Sequence, residues 1–511
     1  MGLIASLRAK PPRRGLRGSA FPGADMGRLT ASWTIDPGSI NRWLRYELGR
    51  LVARSRSLAR GDAYASKFIR SCVDNIAGPA PFTLQSKAKF LDGRFNDLAN
   101  DNIEAAWADR SRPGGVEITG KMSLGALHRL IIRCIARDGE VLLRVLRGGE
   151  FGSAGKLQIL DIDRLDAQRN ENLPGGGAIK LGVELNSYSR PVAYWVLKQH
   201  PGEMGEWNRG QERSYERIPA EQIRHLFLPD WPEQVRGFPW MHAAMVRLYH
   251  LGGFEEAAVI NARIGASKIA TIESPDGEPP ESMITGKDSA GNLLNDTEPG
   301  QYWTLPSGYS LGSFTPNFPD AAVQPFISAC LRGAAAGLGM AYHSLANDPG
   351  AVNYSTARVA LLEERDMWTA IQSWYIEHFV EPDAVDWMRG AINDGILPQT
   401  YWPYRNTLRF QPKTWKWIDP QKEGQAKIEA LAAKLTSRTR ISAETGEDWE
   451  DIADELAAEE QLAKDKGLTL IDAPKPAAKP VADAPADAHA DESGDGTQAA
   501  KGNGEDHSVR A

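Results

Sequence analysis

Three aspartates, Asp161, Asp163 and Asp166, have a spacing in this sequence that could support metal chemistry. Carboxylates at alternating positions of a strand share one face and could hold Mg²⁺ for nucleic-acid cleavage. The sequence offers no second carboxylate motif and no basic cleft nearby, so solvated acids at the end of a strand are the favoured interpretation. A metal-dependent nuclease that processes DNA is kept as the alternative.

Other patterns that could perform chemistry are incomplete. A phosphate-binding loop around Gly286-Lys287 would need glycine at Glu281 and serine or threonine at Asp288, which indicates a turn with a lysine. The run Gly175-Gly176-Gly177 lacks the spacing of a dinucleotide-binding loop, and no histidine pair has metal-ligand spacing. We therefore expect no catalytic residues, no metal and no cofactor, which favours a structural protein.

Composition limits the classes of protein that remain. The chain has 511 residues, enough for two or more folded units, and its net charge of -7 argues against a general DNA-binding surface. Cys72, Cys134 and Cys330 lie far apart in apolar stretches, which predicts buried thiols in a reducing cytoplasm. No run approaches the roughly 20 apolar residues that a membrane-spanning helix requires, so we expect no membrane partner.

The elements that would position any site alternate in type along the first half. Residues 1 to 40 are rich in proline and glycine and predict a flexible arm. Apolar spacing predicts helices over Ser39 to Ala59, Tyr64 to Ile76, Ile103 to Trp107 and Leu124 to Ala136. Short β-rich runs predict a mainly antiparallel sheet from Glu140 to Leu146, Lys156 to Ile162, Lys180 to Leu185, Pro191 to Leu197 and Gln222 to Leu228.

The second half is mainly helical, which makes the chain an α+β protein. Helices are predicted over Trp240 to Ile269, Asp320 to Met340, Ser355 to His378, from Asp419-Pro420 onward, and Glu447 to Lys466. Residues 271 to 319 predict a small irregular module, with strands at Tyr302 to Leu305 and Ser310 to Phe314. A loop is predicted from Ser344 to Asn353. The Ala-, Pro- and Asp-rich tail predicts disorder.

This order of elements resembles the lambda-type family of tailed-bacteriophage portal proteins. Specific segments carry the resemblance in the family's order: Arg54 to Ala65, Val73 to Gly78, Arg137-Asp138-Gly139-Glu140-Val141, Leu160 to Leu165, Arg236-Gly237-Phe238-Pro239-Trp240, and Asn353 to Arg358. Their spacing spans about residues 45 to 465. Because each segment is short, their shared order carries the argument.

The resemblance implies a portal-like fold with an α/β wing, long stem helices, a small clip module and a helical C-terminal crown. The implied regions are an arm (1–40), wing (41–236), first stem helix (237–269), clip (270–319), second stem helix (320–343), tunnel loop (344–353), long helix returning to the wing (354–418), crown (419–467) and disordered acidic tail (468–511). The tunnel loop would be near DNA through Ser344, Leu345, Asn347, Asp348, Asn353 and Tyr354.

The same resemblance implies a ring, typically of about twelve subunits, at one capsid vertex. Double-stranded DNA would be packaged and ejected through it. The implied partners are the terminase large subunit, the major capsid and scaffold proteins, and the head-tail connectors, with assembly in the bacterial cytoplasm and a final place in the virion. Residues 345 to 353 contain no lysine or arginine, so this loop could touch DNA by shape without gripping phosphates. A non-ring scaffold or adaptor that uses the acidic tail is a further alternative.

Overall fold

The computed structural model describes residues 37–79, 82–203, 214–266, 270–273, 322–351, 353–416, 420–445 and 448–467, and between 286 and 313 only 286–287, 289, 293–294, 307 and 310–313. The predicted tail and residues 1–36 of the predicted arm lie outside this part of the chain, as do the predicted strand Tyr302 to Leu305 and the predicted helix start Asp320. The chain divides into two units, Met1–Trp449 and Glu450–Ala511. Within the described ranges, no helix combines the length and apolar character needed to cross a bilayer.

Four helices open the described chain: α1 (Ile40–Gly61), α2 (Ala63–Ile76), α3 (Asp97–Arg110) and α4 (Leu124–Asp138). Their starts are fixed by polar caps, because the side chains of Ser39, Asp62 and Ser123 accept bonds from the first-turn N–H groups. Asp62 separates α1 from α2 by a single extended residue. Helix α4 ends at Gly139, whose φ of 92° suits glycine.

The strands form antiparallel sheets, as predicted. They are β1 (Thr83–Ser86), β2 (Glu140–Leu146), β3 (Lys156–Leu160), β4 (Glu171–Asn172), β5 (Ala178–Lys180), β6 (Val183–Leu185), β7 (Pro191–Leu197), β8 (Tyr215–Pro219) and β9 (Ile223–Phe227). One sheet has the order β3-β2-β9 and a five-stranded one has the order β4-β5-β6-β7-β8. Strand β1 pairs with β14 (Leu408–Gln411), more than 300 residues later in the chain.

Two predictions for this region are wrong. The segment Lys180 to Leu185 is a hairpin, because Leu181 and Gly182 have φ values of 54° and 86° and reverse the chain between β5 and β6. Strand β3 ends at Leu160, so Asp161 and Asp163 do not share a strand face. Asp161 instead caps a 3₁₀ turn, Ile162–Arg164, by accepting a bond from the Asp163 N–H.

The second half contains α5 (Met245–Ala266), α6 (Val323–Leu338), α7 (Tyr342–Ala346), α8 (Tyr354–Tyr375), α9 (Glu381–Asn393), α10 (Pro420–Ala432), α11 (Arg438–Thr445) and α12 (Trp449–Lys466). Helix α5 begins five residues later than the predicted start at Trp240, because Trp240 to Ala244 form tight turns in which His242 bonds back to Pro239. Between α5 and α6, β10 (Ala270–Glu273) pairs with β13 (Ser310–Ser313), and β11 (Gly286–Lys287) pairs with β12 (Leu293–Leu294). Gly286-Lys287 is thus a short strand and not a turn.

The long helix predicted to end at His378 continues to Asn393. A five-residue π turn, Ile376–Val380, joins α8 directly to α9, and Pro382 follows in the first turn of α9. Proline has no N–H and would break a regular α-helix at this point. The wider π turn changes the bonding pattern just before Pro382, so the helical path survives.

The main core lies where α2, α4, α8 and α9 meet, and Trp368, Tyr375 and Phe379 are among its largest buried side chains. His128 is buried there and lies 2.6 Å from the Tyr375 hydroxyl, and burial lowers the pKa of His128 to about 3. Asn75 ties distant parts of the chain to α2: its side-chain oxygen accepts a bond from Trp415 and its carbonyl accepts one from Gln372. Cys72 is a buried thiol as predicted, whereas Cys134 and Cys330 are partly exposed.

Candidate functional site

The predicted tunnel loop is partly helical. Ser344 and Leu345 lie in α7, and the loop proper begins at Asn347. Leu345 is only 1% exposed and packs in the main core, so within this subunit it anchors the segment and cannot face a ligand in a channel. The segment begins as a helix and not as the predicted loop because the buried Leu345 side chain is enough to fix one helical turn against the core.

Asn347 and Asp348 have different surroundings. Asn347 is exposed and adopts the left-handed conformation, with φ 54° and ψ 39°, that asparagine tolerates better than most residues. Asp348 accepts a hydrogen bond of 3.1 Å from the hydroxyl of Tyr342, whose ring lies 5.2 Å from the Arg332 guanidinium. Asp348 is therefore held against Tyr342 of α7, whereas Asn347 is exposed.

The far end of the segment is fixed by α8. Asn353 is exposed and caps α8 by accepting a bond of 2.8 Å from the Thr356 N–H. Tyr354 is the first residue of α8, and its side chain lies outside the described part of the structure. Glu364, further along α8, accepts bonds from the Ala341 N–H and the Trp368 indole. The segment is thus held at both ends.

A buried ionic cluster joins the β2 sheet to the chain that leads into α5. The Glu140 carboxylate accepts bonds from Arg236 at 2.8 Å and from the Gly237 N–H at 2.8 Å, and it lies 2.8 Å from the His225 ring. Burial would raise the pKa of Glu140, but the Arg236 and His225 contacts outweigh it and lower the pKa to about 2. Arg236 also donates to the carbonyls of Leu165 and Leu181, which holds the β5–β6 hairpin.

Two glycines allow this junction to close. A Cβ on Gly139 would lie 2.1 Å from the carbonyl carbon of Phe238, and a Cβ on Gly237 would lie 2.3 Å from the Gly139 oxygen. Both distances are far below van der Waals contact, so only glycine fits at either position. The two sequence segments that contain these glycines are therefore in direct backbone contact.

A second ionic cluster is centred on Arg56 of α1. Its guanidinium lies 2.9 Å from Asp138, 3.1 Å from Asp161 and 2.7 Å from Asp163. Burial opposes ionisation of Asp161, but the Asp163 N–H and Arg56 outweigh it and lower the pKa of Asp161. The structure therefore brings Asp161 and Asp163 together, whereas Asp166 binds the Tyr215 hydroxyl instead.

The carboxylates of Asp161 and Asp163 lie near the ring of His200, and their ligand atoms fall within 4.8 Å of one another. Such a set has the geometry of a metal site, but the Arg56 guanidinium already pairs with both carboxylates, at 3.1 Å from Asp161 and 2.7 Å from Asp163. A cation added there would have to displace this arginine. The arrangement therefore favours a structural role for the aspartates over the nuclease alternative.

Sequence reasoning missed the residues that matter most in these clusters: Arg56, Glu140 and Arg236. All three lie inside segments that carried the family resemblance, which was the available signal. The expectation that no basic cleft lies near Asp161 is wrong. A cavity of about 430 Å³ beside it is lined by Arg56, Arg60, Arg70, Arg133 and Arg137.

The comparison with known sequences identifies one family. The sequence profile described as phage portal protein, lambda family, matches residues 26–372. A probable portal protein of Halomonas phage phiHAP-1 is 30% identical over 455 residues, which is 88% of this chain and 87% of the relative. Portal protein B of Escherichia phage lambda is 22% identical and covers 87% of this chain and 90% of its own length. A chain from the neck of a native gene transfer agent particle has a TM-score of 0.42 at 14% identity, covering 83% of this chain and 99% of its own.

The family match defines the class of protein, a structural component of phage particles. The chain belongs to the lambda family of phage portal proteins. The charged residues of its most recognisable segments, such as Arg56 and Glu140, are used to join those segments to one another.

Proposed function

We propose that this chain assembles into a closed ring of about twelve subunits around a channel for double-stranded DNA, at one vertex of the capsid. Membership of the portal family supports the proposal. The structural observation that carries it is a set of large apolar side chains on α5 and α6 that the subunit itself leaves exposed. In this role the ring serves first in DNA packaging and later in DNA ejection.

The exposed apolar side chains lie on the proposed stem helices. On α5, Val246 is 61% exposed and Tyr249 is 70% exposed, and Val259 and Ile260 are also exposed further along the same helix. Phe326 on α6 is about half exposed. Val246 and Tyr249 are three residues apart and therefore lie on one face of α5, and a ring needs a head-to-tail interface on every subunit. A neighbouring copy of the chain is the proposed cover.

The regions of the portal architecture are assigned from the family resemblance. We assign 41–236 to the wing, 237–269 and 320–343 to the stem, 270–319 to the clip and 419–467 to the crown, with an arm at 1–40, a connecting segment at 354–418 and a tail at 468–511. The clip is the proposed docking site for the terminase large subunit and later the head-tail connectors. The major capsid and scaffold proteins would contact the ring during assembly in the host cytoplasm, before it takes its place in the virion.

The segment 344–353 is the proposed tunnel loop, and Asn347 is its proposed DNA-facing tip. Asn347 is exposed, and residues 345 to 353 carry no cationic side chain. Each phosphate that a channel neutralises adds affinity through counterion release and therefore resists sliding. A neutral tip suits a channel through which DNA must move. Leu345, being buried, is reassigned as the anchor of the loop.

Ring formation is tested by native mass spectrometry and negative-stain imaging of the purified full chain. We expect closed rings, and we expect them to persist when residues 472–511 are removed. Tyr249→Glu places a charge in the proposed interface and should shift the protein to smaller species, because an interface tyrosine commonly contributes about 2 kcal/mol. Tyr188→Glu is the matched control, since Tyr188 is 89% exposed in the turn before β7 and should leave the ring intact.

Two results would contradict different parts of the proposal. A stable monomer of the unaltered chain under assembly-permissive conditions would contradict ring formation itself. An unchanged ring in Tyr249→Glu would contradict the placement of α5 in the ring interface.

The DNA-facing tip is tested on the purified ring with a short DNA duplex. Asn347→Lys adds one cation per subunit, so duplex binding should become tighter at low salt and more steeply dependent on salt concentration. Asn347→Gln, which alters the same backbone position without adding charge, should bind as the unaltered ring does. Equal binding by the lysine and glutamine variants would place Asn347 away from the DNA.

A further inference from the structure

The arginine-lined cavity beside Asp161 belongs to neither of the functions proposed above. Arg56 and Arg60 come from α1, Arg70 from α2, and Arg133 and Arg137 from α4, so three helices direct guanidinium groups towards one space of about 430 Å³. Arg56 and Arg60, like Arg133 and Arg137, are four residues apart and therefore lie on one face of their helix. The cavity is a local cationic feature in a chain of net charge -7.

The charges of the cavity fall into two groups. Arg56 and Arg137 are partly buried and form ion pairs with three carboxylates, those of Asp138, Asp161 and Asp163, so the five lining arginines still exceed these acids by two charges. Arg60, Arg70 and Arg133 are exposed at the rim, and among the described residues none of these three is ion-paired. The cavity therefore presents an excess of positive charge that the subunit does not compensate.

The chemistry of the lining selects the ligand. Ile69 and Ala59 are the apolar members of the lining, and no aromatic side chain contributes to it, whereas protein interfaces are built around apolar and aromatic anchors. Planar guanidinium groups bind phosphate oxygens in pairs, and the Ser66 hydroxyl at the same cavity can donate a further bond. The volume is also within the range of small-ligand sites.

We propose that this cavity binds a phosphate-bearing ligand through Arg60, Arg70 and Arg133. The shared chemistry is a phosphate group, and its source is either a free polyphosphate or the backbone of DNA. The site lies on α1, α2 and α4 and contains no residue of the proposed tunnel loop. It can therefore be present whether or not the ring and the channel are as proposed.

The test is calorimetric titration of the full chain with sodium tripolyphosphate at low ionic strength. We expect saturable binding of one ligand per subunit. The triple variant Arg60→Ala, Arg70→Ala, Arg133→Ala should bind at least about a hundredfold more weakly, because each charge-assisted contact is commonly worth tenfold or more. The control triple Arg50→Ala, Arg112→Ala, Arg190→Ala makes the same change in net charge at exposed positions outside the cavity and should bind as the unaltered chain does.

A conservative variant distinguishes a loss of ligand binding from a loss of folding. Arg133→Lys keeps the charge but loses the paired donors, so binding should weaken by about tenfold or less while the urea midpoint stays unchanged. No saturable binding by the unaltered chain, or equal binding by the two triple variants, would overturn the proposal. Competition with a short DNA duplex then identifies the source: displacement of tripolyphosphate assigns the site to the DNA backbone, and lack of displacement assigns it to a free polyphosphate.

Discussion

Replacing Glu140 with glutamine should destabilise the subunit far more than the loss of one charge at the surface would. Glu140 is fully buried and is the shared acceptor for Arg236, His225 and the Gly237 N–H. The substitution keeps the shape of the side chain but leaves the Arg236 guanidinium buried without a counter-charge. Removing one partner of a buried pair commonly costs about 3–5 kcal/mol.

The pKa of Glu140 gives a second measure of the same effect. It falls from 4.5 to about 2 on folding, which corresponds to about 3 kcal/mol of stabilisation at neutral pH. Because the folded-state pKa is the lower one, this contribution is fully present above the unfolded value of 4.5 and is lost as the pH falls from 4.5 towards 2. The glutamine variant should lack this part of the acid sensitivity.

The assay is urea unfolding followed by tryptophan fluorescence at neutral and at acidic pH. The matched control is Glu216→Gln, since Glu216 pairs with Arg144 at 2.7 Å on a side chain that is 40% exposed, and such a pair is worth about 1 kcal/mol or less. Combining Glu140→Gln with Arg236→Gln should reveal a coupling of about 2 kcal/mol or more. If Glu140→Gln shifts the unfolding midpoint no further than Glu216→Gln does, the account of the junction is refuted.

Three further outcomes are expected, each checked by thermal or urea unfolding. Gly139→Ala should prevent the wild-type fold or strongly lower its melting temperature, because its Cβ would meet the Phe238 backbone. Gly93→Ala, at a similar φ of 88° but with open space around it, should cost only about 1–2 kcal/mol, and equal effects of the two variants would show that the positive φ and not the close approach matters. The pKa of His128 falls from 6.5 to about 3 on burial, so folding favours the neutral ring. The free energy of unfolding should therefore decline as the pH falls from 6.5 towards 3, by about 2 kcal/mol at pH 5. The double variant His128→Phe, Tyr375→Phe should lack this decline, and an unchanged pH profile in that variant would contradict His128 as its cause. Asp383→Asn removes the ion-pair partner of buried Arg110 and should lower the free energy of unfolding by about 3–5 kcal/mol. Asp109→Asn, in the exposed Asp109–Arg112 pair, should lower it by less than about 1 kcal/mol. Comparable losses of stability in the two variants would argue against burial as the cause.

The sequence was most informative where a local pattern decides the structure. Helix α4 and strands β2 and β7 were predicted closely because apolar spacing and β-branched residues there agree with caps and turns that are local in sequence. The hairpin at Leu181 was missed because a leucine with positive φ carries no turn signal of its own. Its conformation is held by a bond from Arg236, which is 55 residues away.

Charge clusters were harder to predict because their members also lie far apart in the sequence. Asp161 and Asp163 could be identified as chemically interesting from their spacing, but their partner Arg56 is more than 100 residues earlier. The rim arginines of the cavity come from three helices, and nothing in a linear sequence indicates that their side chains meet. The assignment of residues 344–353 to a tunnel loop stays a prediction from the family resemblance, whereas the burial of Leu345 depends on contacts in the packed core that the linear sequence does not reveal.

The bonds that Asn75 receives from Gln372 and Trp415 have a consequence for how the protein is made. Helix α2 cannot reach its final environment until a segment 340 residues later has been synthesised, because part of its packing surface is supplied from there. At about 5–20 residues per second, that delay is roughly 20–70 s on the ribosome. Until then, the end of α2 that carries Asn75 lacks two of the partners it has in the folded subunit. The packing around α2 can therefore be completed only after most of the chain has been synthesised.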